Sequence, residues 1–511
     1  MNASQPNAPE PDQKDVLAFL GGRIHDATMA RVDTHASIVF LEQDRVLKIK
    51  RAVRLPFLDY STLDKRKRAC EEELTVNRRY APQIYRRVVP IARGPEGFQI
   101  GGDGPVVEWA VEMARFDETQ TLDHLARAGG ISADLAEDVA DILYAAHRSA
   151  QVSDGAAWLA SIEAFIYRNS GKFREQVSLA PDATEHLHKV SQEQLAGARS
   201  LLRERAAAGL VRRCHGDAHL GNIALIDDHP VLFDAIEFDP VIATTDVLYD
   251  LAFPIMDLVH FGLNAAANRL FNRYLQRTWP ESGSALRLLP LFLSIRAAIR
   301  SHVLFTKNEQ SPADNGVREE AKSYFNLALT FLKPARPSLV AIGGKSGTGK
   351  SVLARNLAAL IGTPPGAVIL RSDVIRKELF GVDPLVQLPA MAYTPEVTQR
   401  IYDRLNDRAR QVVAQGFSVI IDAAFLQEEQ RDKLSAEARA IEAEFRAVFL
   451  DADLDIRLSR VRTRKRDASD AAGEVAGQQE DYDIGPVRWA RVNASESPQE
   501  TFDRSKALLL P

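Results

Sequence analysis

Two stretches of the sequence carry residue types suited to phosphate chemistry. The first, residues 215–222, reads His-Gly-Asp-Ala-His-Leu-Gly-Asn and is followed by an apolar run that ends at Asp234. The second, residues 344–351, reads Gly-Lys-Ser-Gly-Thr-Gly-Lys-Ser and is a complete G-x-x-x-x-G-K-S phosphate-binding loop. Because each pattern can bind a nucleotide without the other, the sequence predicts two nucleotide sites in one polypeptide.

The first stretch has the identities and order of a kinase catalytic loop. Asp217 would orient an acceptor hydroxyl, while Asn222 and Asp234 would hold Mg²⁺ against the phosphates. Upstream, the strand Val46-Leu47-Lys48 offers Lys48 to the α- and β-phosphates, and Glu73 on the following helix is its candidate partner. These five residues predict a phosphotransfer site.

Some of these assignments have competitors. Lys50 lies on the same strand face as Lys48 and could take its role. The acids of Glu71–Glu73 compete for one partner, and most acids on such a helix are simply solvated. His215 and His219 could suggest a metal pair, but we interpret them as structural anchors of the loop.

The second stretch predicts binding of a nucleoside triphosphate. Backbone N–H groups around Gly344, Gly347 and Gly349 would wrap the β-phosphate, Lys350 would reach the β- and γ-oxygens, and the Ser351 hydroxyl would ligate Mg²⁺. An apolar strand precedes the loop and a helix follows it, as this motif requires. The loop itself does not define the reaction.

Three further features favour a kinase. Asp373 follows the next apolar strand, where it could face an acceptor hydroxyl, and Asp422 ends another strand, where it suits the metal. Arg460 and Arg464 lie in an arginine-rich helix that could close over ATP. The alternatives are that Asp373 caps a helix and that the arginines form a solvated helix face.

The elements that must position these residues fall into two patterns separated at residues 334–337, where two prolines favour extended backbone. The first pattern is a small α+β lobe that extends to about residue 113, followed by mostly helical sequence. Its predicted elements are strands over 36–41, 45–50, 85–92 and 106–113, and a helix over 63–80.

Beyond the linker, short apolar runs alternate with helical segments, which predicts a parallel, doubly wound sheet. The predicted organisation is a disordered tail over 1–15, a two-lobed α+β domain over 16–333, a linker over 334–337, and an α/β P-loop domain over 338–511.

Composition narrows the possible partners and location. The 511 residues carry 64 basic and 69 acidic side chains and a formal net charge of −5, which gives no general attraction to nucleic acid or to anionic membranes. Two cysteines, Cys70 and Cys214, suit a reducing cytosol. The apolar stretch 286–305 is interrupted by arginines, so we expect a buried helix there. We therefore predict a cytoplasmic protein with no membrane segment, for which nucleic acid is an unlikely partner.

Residues 16–333 resemble the aminoglycoside phosphotransferase and choline kinase superfamily, which has a protein-kinase-like fold. The resemblance rests on His215-Gly216-Asp217-x-His219-x-x-Asn222, on Phe233-Asp234 and on Thr245-Asp246-x-x-x-Asp250. Two features differ from the kinase pattern: Asp33–Ser37 stands where a glycine-rich loop is expected, and Ala235-Ile236-Glu237 follows Asp234 in place of Phe-Gly.

Residues 338–511 resemble the small P-loop kinases of the gluconate kinase, polynucleotide kinase and zeta-toxin group. The matching stretches are 344–351, 372–376, 393–396, 419–423 and 464–471. The resemblance implies that Asp373 accepts the proton of the acceptor hydroxyl and that Arg460 and Arg464 form a lid. The whole chain resembles bacterial two-domain proteins that join these two kinds of domain.

Together these features predict a bifunctional kinase that uses ATP and Mg²⁺ to phosphorylate small molecules bearing hydroxyl groups. One alternative is a single active P-loop kinase whose kinase-like lobe binds nucleotide as a regulator. Another is a nucleic-acid end kinase in the C-terminal half, for which Trp489 and Arg491 offer thin support. The sequence indicates no oligomeric state.

Overall fold

The computed structural model describes residues 13–24, 30–55, 58–310, 314–463, 468–470 and 473–510. The chain divides into two compact units by its internal contacts. The first unit comprises Met1–Gly130, Ala145–Ile162 and Leu202–Pro254, and the second comprises Ile131–Tyr144, Glu163–Leu201 and Ile255–Pro511. Most of the predicted tail lies outside the described residues, although its end at 13–15 belongs to the first helix.

Seventeen strands are assigned within the described residues. They are β1 Ala30–Asp33, β2 Ser37–Leu41, β3 Arg45–Lys50, β4 Arg54–Leu55, β5 Leu58–Asp59, β6 Tyr85–Gly94, β7 Gly97–Ile100, β8 Val106–Ala114, β9 Val211–Arg213, β10 Ile223–Ile226, β11 His229–Leu232, β12 Thr244–Asp246, β13 Ser338–Gly344, β14 Val368–Arg371, β15 Val419–Asp422, β16 Glu444–Asp451 and β17 Ala490–Asn493.

The same described ranges contain eighteen α-helices. They are α1 Gln13–Gly21, α2 Leu63–Asn77, α3 Leu122–Arg127, α4 Ala133–Ser149, α5 Ala156–Arg174, α6 Pro181–Ala207, α7 Pro240–Ala243, α8 Val247–His260, α9 Asn264–Thr278, α10 Leu289–Gln310, α11 Asn315–Phe331, α12 Lys350–Ala358, α13 Ser372–Leu379, α14 Pro395–Ala414, α15 Glu428–Ala440, α16 Leu454–Thr463, α17 Gly473–Gln478 and α18 Pro498–Leu509.

The first unit is built on a six-stranded antiparallel sheet with strand order β1-β2-β3-β8-β6-β7. Ile38, Phe40, Leu47 and Ile49 alternate along β2 and β3 and bury one face of the sheet. Helix α2 packs on β6 and β8, and Thr62 caps its start by accepting a hydrogen bond from the backbone N–H of Lys65. Two small hairpin-like pairs, β10 with β11 and β9 with β12, frame residues 214–222 and 233–243.

The second unit contains a five-stranded sheet with order β14-β15-β13-β16-β17, and every pairing in it is parallel. A helix follows each of its strands, as in doubly wound sheets. The inner strand β15 is buried along its whole length, which explains its continuous apolar sequence. Strand β17 was not predicted, because its four residues are mostly exposed and form an edge.

Helix α9, which lies before the predicted linker in sequence, packs on the edge of this sheet within the second unit. The Asn272 side chain accepts a hydrogen bond from the backbone N–H of Ile369 (2.7 Å) and donates to the carbonyl of Ala367 (3.1 Å). Asn268 donates to the carbonyls of Pro365 (2.9 Å) and Ala367 (3.1 Å). The two asparagines therefore satisfy backbone groups that an edge strand would leave open. The predicted boundary at 334–337 stays a prediction.

The apolar stretch at 286–305 is helical and packs against α11. A segment over Gly283–Glu309 is long and apolar enough to cross a membrane by length and composition, and 67% of its most apolar window is buried inside the protein. A buried core helix passes the same test of length and composition. The fold class predicted from the sequence, an α+β part followed by a parallel α/β part, is confirmed.

Candidate active sites

The first site is centred on a lysine held between two carboxylates. Lys48 Nζ lies 2.7 Å from Glu73 Oε1 and 2.6 Å from Asp234 Oδ1. Strand β3 supplies the lysine and helix α2 supplies the fully buried glutamate. Burial by itself would lower the pKa of Lys48, but Asp234 and Glu73 raise it well above its usual value, so the ammonium stays charged.

The loop at residues 215–222, the predicted catalytic loop, is hydrogen-bonded to the segment that carries Asp234. Asn222 Nδ2 donates to the carbonyl of Asp217 (2.9 Å) and to its carboxylate (3.1 Å). The backbone N–H of Phe233 donates to the carbonyl of Asn222 (3.0 Å). The side chains of Asp217 and Asp234 are 40% and 43% exposed, so both carboxylates can meet a ligand. Burial opposes ionisation of Asp234, but Lys48 outweighs it and holds the pKa of Asp234 below its usual value.

Asp234 has a backbone φ of +58°, which is unusual for a residue other than glycine. Its N–H donates to the Tyr85 hydroxyl (3.1 Å), and the next N–H, that of Ala235, donates to Asn77 Oδ1 (2.7 Å). The surrounding side chains thus hold a strained backbone in place, as is common at functional sites.

The histidines of the loop contact backbone atoms, as the structural interpretation predicts. His215 Nε2 donates to the carbonyl of Phe233 (2.9 Å), and His219 Nδ1 accepts from the N–H of Gly221 (3.0 Å). Sequence reasoning gave no role to Asp250 beyond its place in a motif. The buried Asp250 accepts a hydrogen bond from the N–H of Gly216 (2.9 Å) and contacts His147 Nε2 (3.0 Å). It therefore fixes the backbone at the start of the predicted catalytic loop.

The competing residues occupy different places from Lys48 and Glu73. Lys50 is buried, contacts Glu73 Oε2 (2.7 Å) and forms an ion pair with Glu237. Glu72 pairs with Arg213 (2.9 Å) at the surface, and Glu71 lies 3.8 Å from Lys67. Glu73 is therefore the acid of α2 that reaches the site.

Asp33–Ser37 forms the turn between β1 and β2. Thr34 Oγ1 donates to the carbonyl of Ser37 and accepts from its N–H, both at 2.9 Å. Strand β2 pairs with β3 so that Val39 lies opposite Lys48. The turn thus belongs to the hairpin next to the lysine strand, although it lacks glycine.

The second site is the phosphate loop between β13 and α12. Gly347 has a φ of +83°, and a Cβ there would lie 2.6 Å from the carbonyl oxygen of Arg457, so only glycine fits. Arg457 is fully buried and donates to the carbonyl of Ser346 (3.2 Å), which braces the loop from behind. Lys350 Nζ donates to the carbonyls of Gly344 (2.8 Å) and Lys345 (3.0 Å).

Ser351 and Asp422 are in direct contact, as a shared metal site requires. Ser351 Oγ donates to Asp422 Oδ2 (2.6 Å), and Asp422 is 4% exposed. Arg371, which was not among the predicted site residues, donates to Asp422 Oδ2 (3.1 Å) and to Ser351 Oγ (3.0 Å). Its position at the end of β14, opposite Asp422 in the sheet register, is the signal that could have identified it.

A cavity of about 1800 Å³ opens beside the loop and is lined by Lys350, Ser351, Asp373, Asp422 and Arg460 among others. Burial raises the pKa of Asp373 above its usual value, against the opposing charge of Arg371. A carboxylate that is reluctant to ionise is suited to accept a proton.

Of the two arginines predicted to form a lid, Arg460 lies at the cavity. Its guanidinium donates to the carbonyls of Ala494 (2.7 Å) and Glu496 (2.8 Å). Arg464 lies outside the described residues. Sequence reasoning missed Gln479, whose Oε1 accepts a hydrogen bond from the N–H of Ser346 in the phosphate loop (2.7 Å).

Trp489 does not form an open stacking surface. It is 8% exposed and packs edge-on against Phe425, with ring centroids 4.9 Å apart. Arg491 forms an ion pair with Asp451 at 2.7 Å.

Comparison with known proteins matches both parts of the chain. Residues 339–482 match the family model described as an AAA domain. Over 89% of this chain and 90% of theirs, the sequence is 27% identical to the uncharacterized protein Rv2004c of Mycobacterium tuberculosis (strain ATCC 25618 / H37Rv) and the uncharacterized protein Mb2027c of Mycobacterium bovis (strain ATCC BAA-935 / AF2122/97).

Three solved structures are similar to portions of the chain. A choline/ethanolamine kinase family protein from Mesorhizobium loti is 15% identical, covers 63% of this chain and 95% of its own, and has a TM-score of 0.39. A gluconokinase from Sinorhizobium meliloti 1021 is 21% identical, with coverage of 34% and 92% and a TM-score of 0.25. The Mycobacterium tuberculosis APS kinase CysC is 20% identical, with coverage of 35% and 100% and a TM-score of 0.26.

The predicted composition, an α+β part joined to a P-loop part, is confirmed by the two sheets and by the family match at residues 339–482. The matched phosphate loop and the lysine–glutamate pair beside the catalytic loop support an ATP-dependent kinase, that is, a phosphotransferase that binds ATP.

Proposed function

We propose that the protein is a bifunctional kinase in which each site transfers the γ-phosphoryl group of ATP to a hydroxyl group of a small molecule. The observation that carries the proposal is that each site brings together three kinds of group: a cation for the phosphates, a pair of oxygen ligands for Mg²⁺, and a carboxylate for the acceptor.

In the first site, Lys48 contacts the phosphates, Asn222 and Asp234 hold Mg²⁺, and Asp217 orients the acceptor hydroxyl. The Lys48–Glu73 contact of 2.7 Å and the link between Asn222 and Asp217 support these roles. In this scheme Mg²⁺ neutralises the charge that develops on the phosphates.

In the second site, the phosphate loop and Lys350 bind ATP, while Ser351 and Asp422 hold Mg²⁺. Asp373 takes the proton of the acceptor hydroxyl, and its raised pKa supports that role. Arg460 and Arg464 would close over the nucleotide, although the hydrogen bonds of Arg460 to backbone carbonyls also allow a structural role.

The test is turnover of γ-labelled ATP by the full chain with a fractionated metabolite extract, an aminoglycoside panel and a sugar panel. Wild type, Asp217→Asn and Lys350→Ala are compared, with Asp228→Asn and Lys333→Ala as controls because both residues are exposed. Two labelled products, each lost in one variant, are expected. A single product that is lost only in Lys350→Ala would leave one kinase and a regulatory first lobe.

A further inference from the structure

The residues after Asp234 place a second carboxylate in the first site. Glu237 stands three positions beyond Asp234, in the stretch that differs from the Phe-Gly of kinases. Its side chain is 6% exposed and forms an ion pair with Lys50, which is 2% exposed. Two buried, oppositely charged side chains next to a phosphate site are costly to desolvate, so their presence calls for an explanation.

The contacts of Glu73 connect this pair to the predicted phosphate-binding lysine. Glu73 Oε1 lies 2.7 Å from Lys48, and Glu73 Oε2 lies 2.7 Å from Lys50. Lys50 in turn contacts Glu237. The four side chains form a continuous chain in the order Lys48, Glu73, Lys50 and Glu237, which we call the ion-pair chain.

Glu237 balances the charge of the ion-pair chain by neutralising Lys50. Glu73 carries one negative charge and faces two ammonium groups. Without Glu237, Lys50 would be neutralised by Glu73 alone and would compete with Lys48 for that carboxylate. Lys48 would then depend more on Asp234, the carboxylate predicted to hold Mg²⁺.

Two further groups of the described residues near Lys50, Tyr60 and Glu108, do not supply this negative charge. The ring of Tyr60 lies over the Lys50 ammonium at 5.5 Å, and burial raises the pKa of Tyr60 to about 12, so the phenol is neutral at ordinary pH. The strand neighbour Glu108 pairs with Arg66 at 2.9 Å.

Lys50 is also poorly placed to replace Lys48 at the phosphates. Lys48 is 13% exposed and reaches the half-exposed carboxylate of Asp234, whereas Lys50 is enclosed between Glu73 and Glu237.

We propose that Lys50 and Glu237 are positioning residues, which hold Glu73 so that it keeps Lys48 directed at the phosphates of ATP. The proposal rests on the proposed function of the first site. The positioning role would also explain why Ala235-Ile236-Glu237 follows Asp234 in place of the Phe-Gly of kinases, since this stretch supplies Glu237.

The experiment measures binding of the Mg²⁺ complex of a non-hydrolysable ATP analogue by calorimetry. The full chain carries Lys350→Ala throughout, so that the first site is observed. In that background Glu237→Gln is expected to weaken binding roughly tenfold, because an unbalanced buried lysine now draws Glu73 away from Lys48. Adding Lys50→Met removes that lysine and is expected to restore the affinity to within about threefold.

The matched control is Glu108→Gln, which breaks a buried pair with Arg66 in the same sheet. It is expected to lower the thermal unfolding midpoint and leave nucleotide affinity unchanged. Rescue of Glu237→Gln by a second substitution is the readout that a merely structural role would not produce.

Each outcome decides between the proposals. Unchanged affinity in Glu237→Gln, or failure of Lys50→Met to restore it, overturns the positioning role and leaves the first site intact. Absence of binding in the Lys350→Ala parent overturns the proposed function of the first site, and the positioning role with it. If Glu237→Gln does not fold, the affinity of the double variant is the deciding measurement, and an affinity more than about threefold below the parent contradicts the proposal.

Discussion

The two sites hold the lysines proposed to bind phosphate, Lys48 and Lys350, in opposite ways. Lys48 is fixed by carboxylates that come from α2 and from the segment after β11, so its surroundings are assembled from residues far apart in sequence. Lys350 donates to carbonyls of its own loop, within six residues of itself. The first site therefore depends on tertiary structure for its charge balance, whereas the second depends on a local backbone conformation.

The same contrast holds for Asp234 and Asp422, the two aspartates proposed to bind Mg²⁺. Asp234 is 43% exposed and sits on a strained backbone that Tyr85 and Asn77 hold in place. Asp422 is almost completely buried at the end of β15 and is bound to Ser351 and Arg371. One site exposes its carboxylate and constrains the main chain, and the other buries the carboxylate among donors.

The largest effect is expected from removing the base of the second site. Asp373→Asn should lower turnover to the second product by about 10²–10⁴-fold, the range for loss of a general base, and leave nucleotide affinity nearly unchanged. Because burial raises the pKa of Asp373, wild-type turnover should fall on acidification at a higher pH than an ordinary aspartate would give. Steady-state rates measured across pH test both points.

The same substitution should stabilise the fold at neutral pH. A carboxyl group whose folded-state pKa is raised contributes stability below its unfolded pKa and loses it as the pH rises through the folded value. At neutral pH the ionised Asp373 therefore disfavours folding, and a neutral asparagine side chain at this position removes that cost. A lower thermal unfolding midpoint for Asp373→Asn at pH 7 would contradict the assignment of Asp373 as a partly buried base with a raised pKa.

The contrast between the metal-binding aspartates predicts different costs in stability. Asp422→Asn removes the charge of a buried carboxylate that accepts hydrogen bonds from Arg371 and Ser351, so a loss of about 3 kcal/mol in unfolding free energy is expected. Asp234→Asn removes a half-exposed group and should cost less. Urea unfolding of both variants measures the difference, and equal losses would contradict the comparison.

The contribution of α9 to the second unit is a smaller and separate effect. Asn272→Ala should cost about 1 kcal/mol in unfolding free energy, because it leaves the N–H of Ile369 without its acceptor in a partly buried place. Hydrogen exchange at β14 should rise in this variant and not in Asn326→Ala, a substitution on the exposed face of α11. Unchanged exchange at β14 would mean that α9 does not protect the sheet edge.

How far the sequence predicts each site follows from these differences. The second site is nearly complete in its motif, since strand, loop and helix are adjacent and Gly347, Lys350 and Ser351 occupy fixed places in it. The order of β13, β15 and β14 then brings Asp422 beside the loop, which is a general property of parallel sheets.

The first site is less accessible from sequence because its contacts are long-range. Lys48 and Glu73 were predicted from their elements, but the choice over Lys50 depended on which side chain meets Asp234. Asp250 and Glu237 gained their roles only when α8 and the stretch after β11 were folded around the loop. The packing of α9 on the edge strand β14 could not be predicted either. Asn268 and Asn272 make these contacts, and two asparagines on a helix do not indicate which strand the helix covers.

The smallest effect concerns the cover of the phosphate loop. Gln479 Oε1 accepts the N–H of Ser346, one of the loop donors that a β-phosphate would use. Gln479→Ala should therefore raise the nucleotide affinity of the second site by about two- to threefold. The N–H of Ser346 would then be free of Gln479, so phosphate binding would not have to break that hydrogen bond first. Gln478→Ala is the matched control, because its neighbouring side chain lines the same cavity. Calorimetry in a Lys48→Ala background, which removes the proposed phosphate-binding lysine of the first site, would measure the change. Weaker binding in Gln479→Ala would instead indicate that this glutamine contacts the nucleotide.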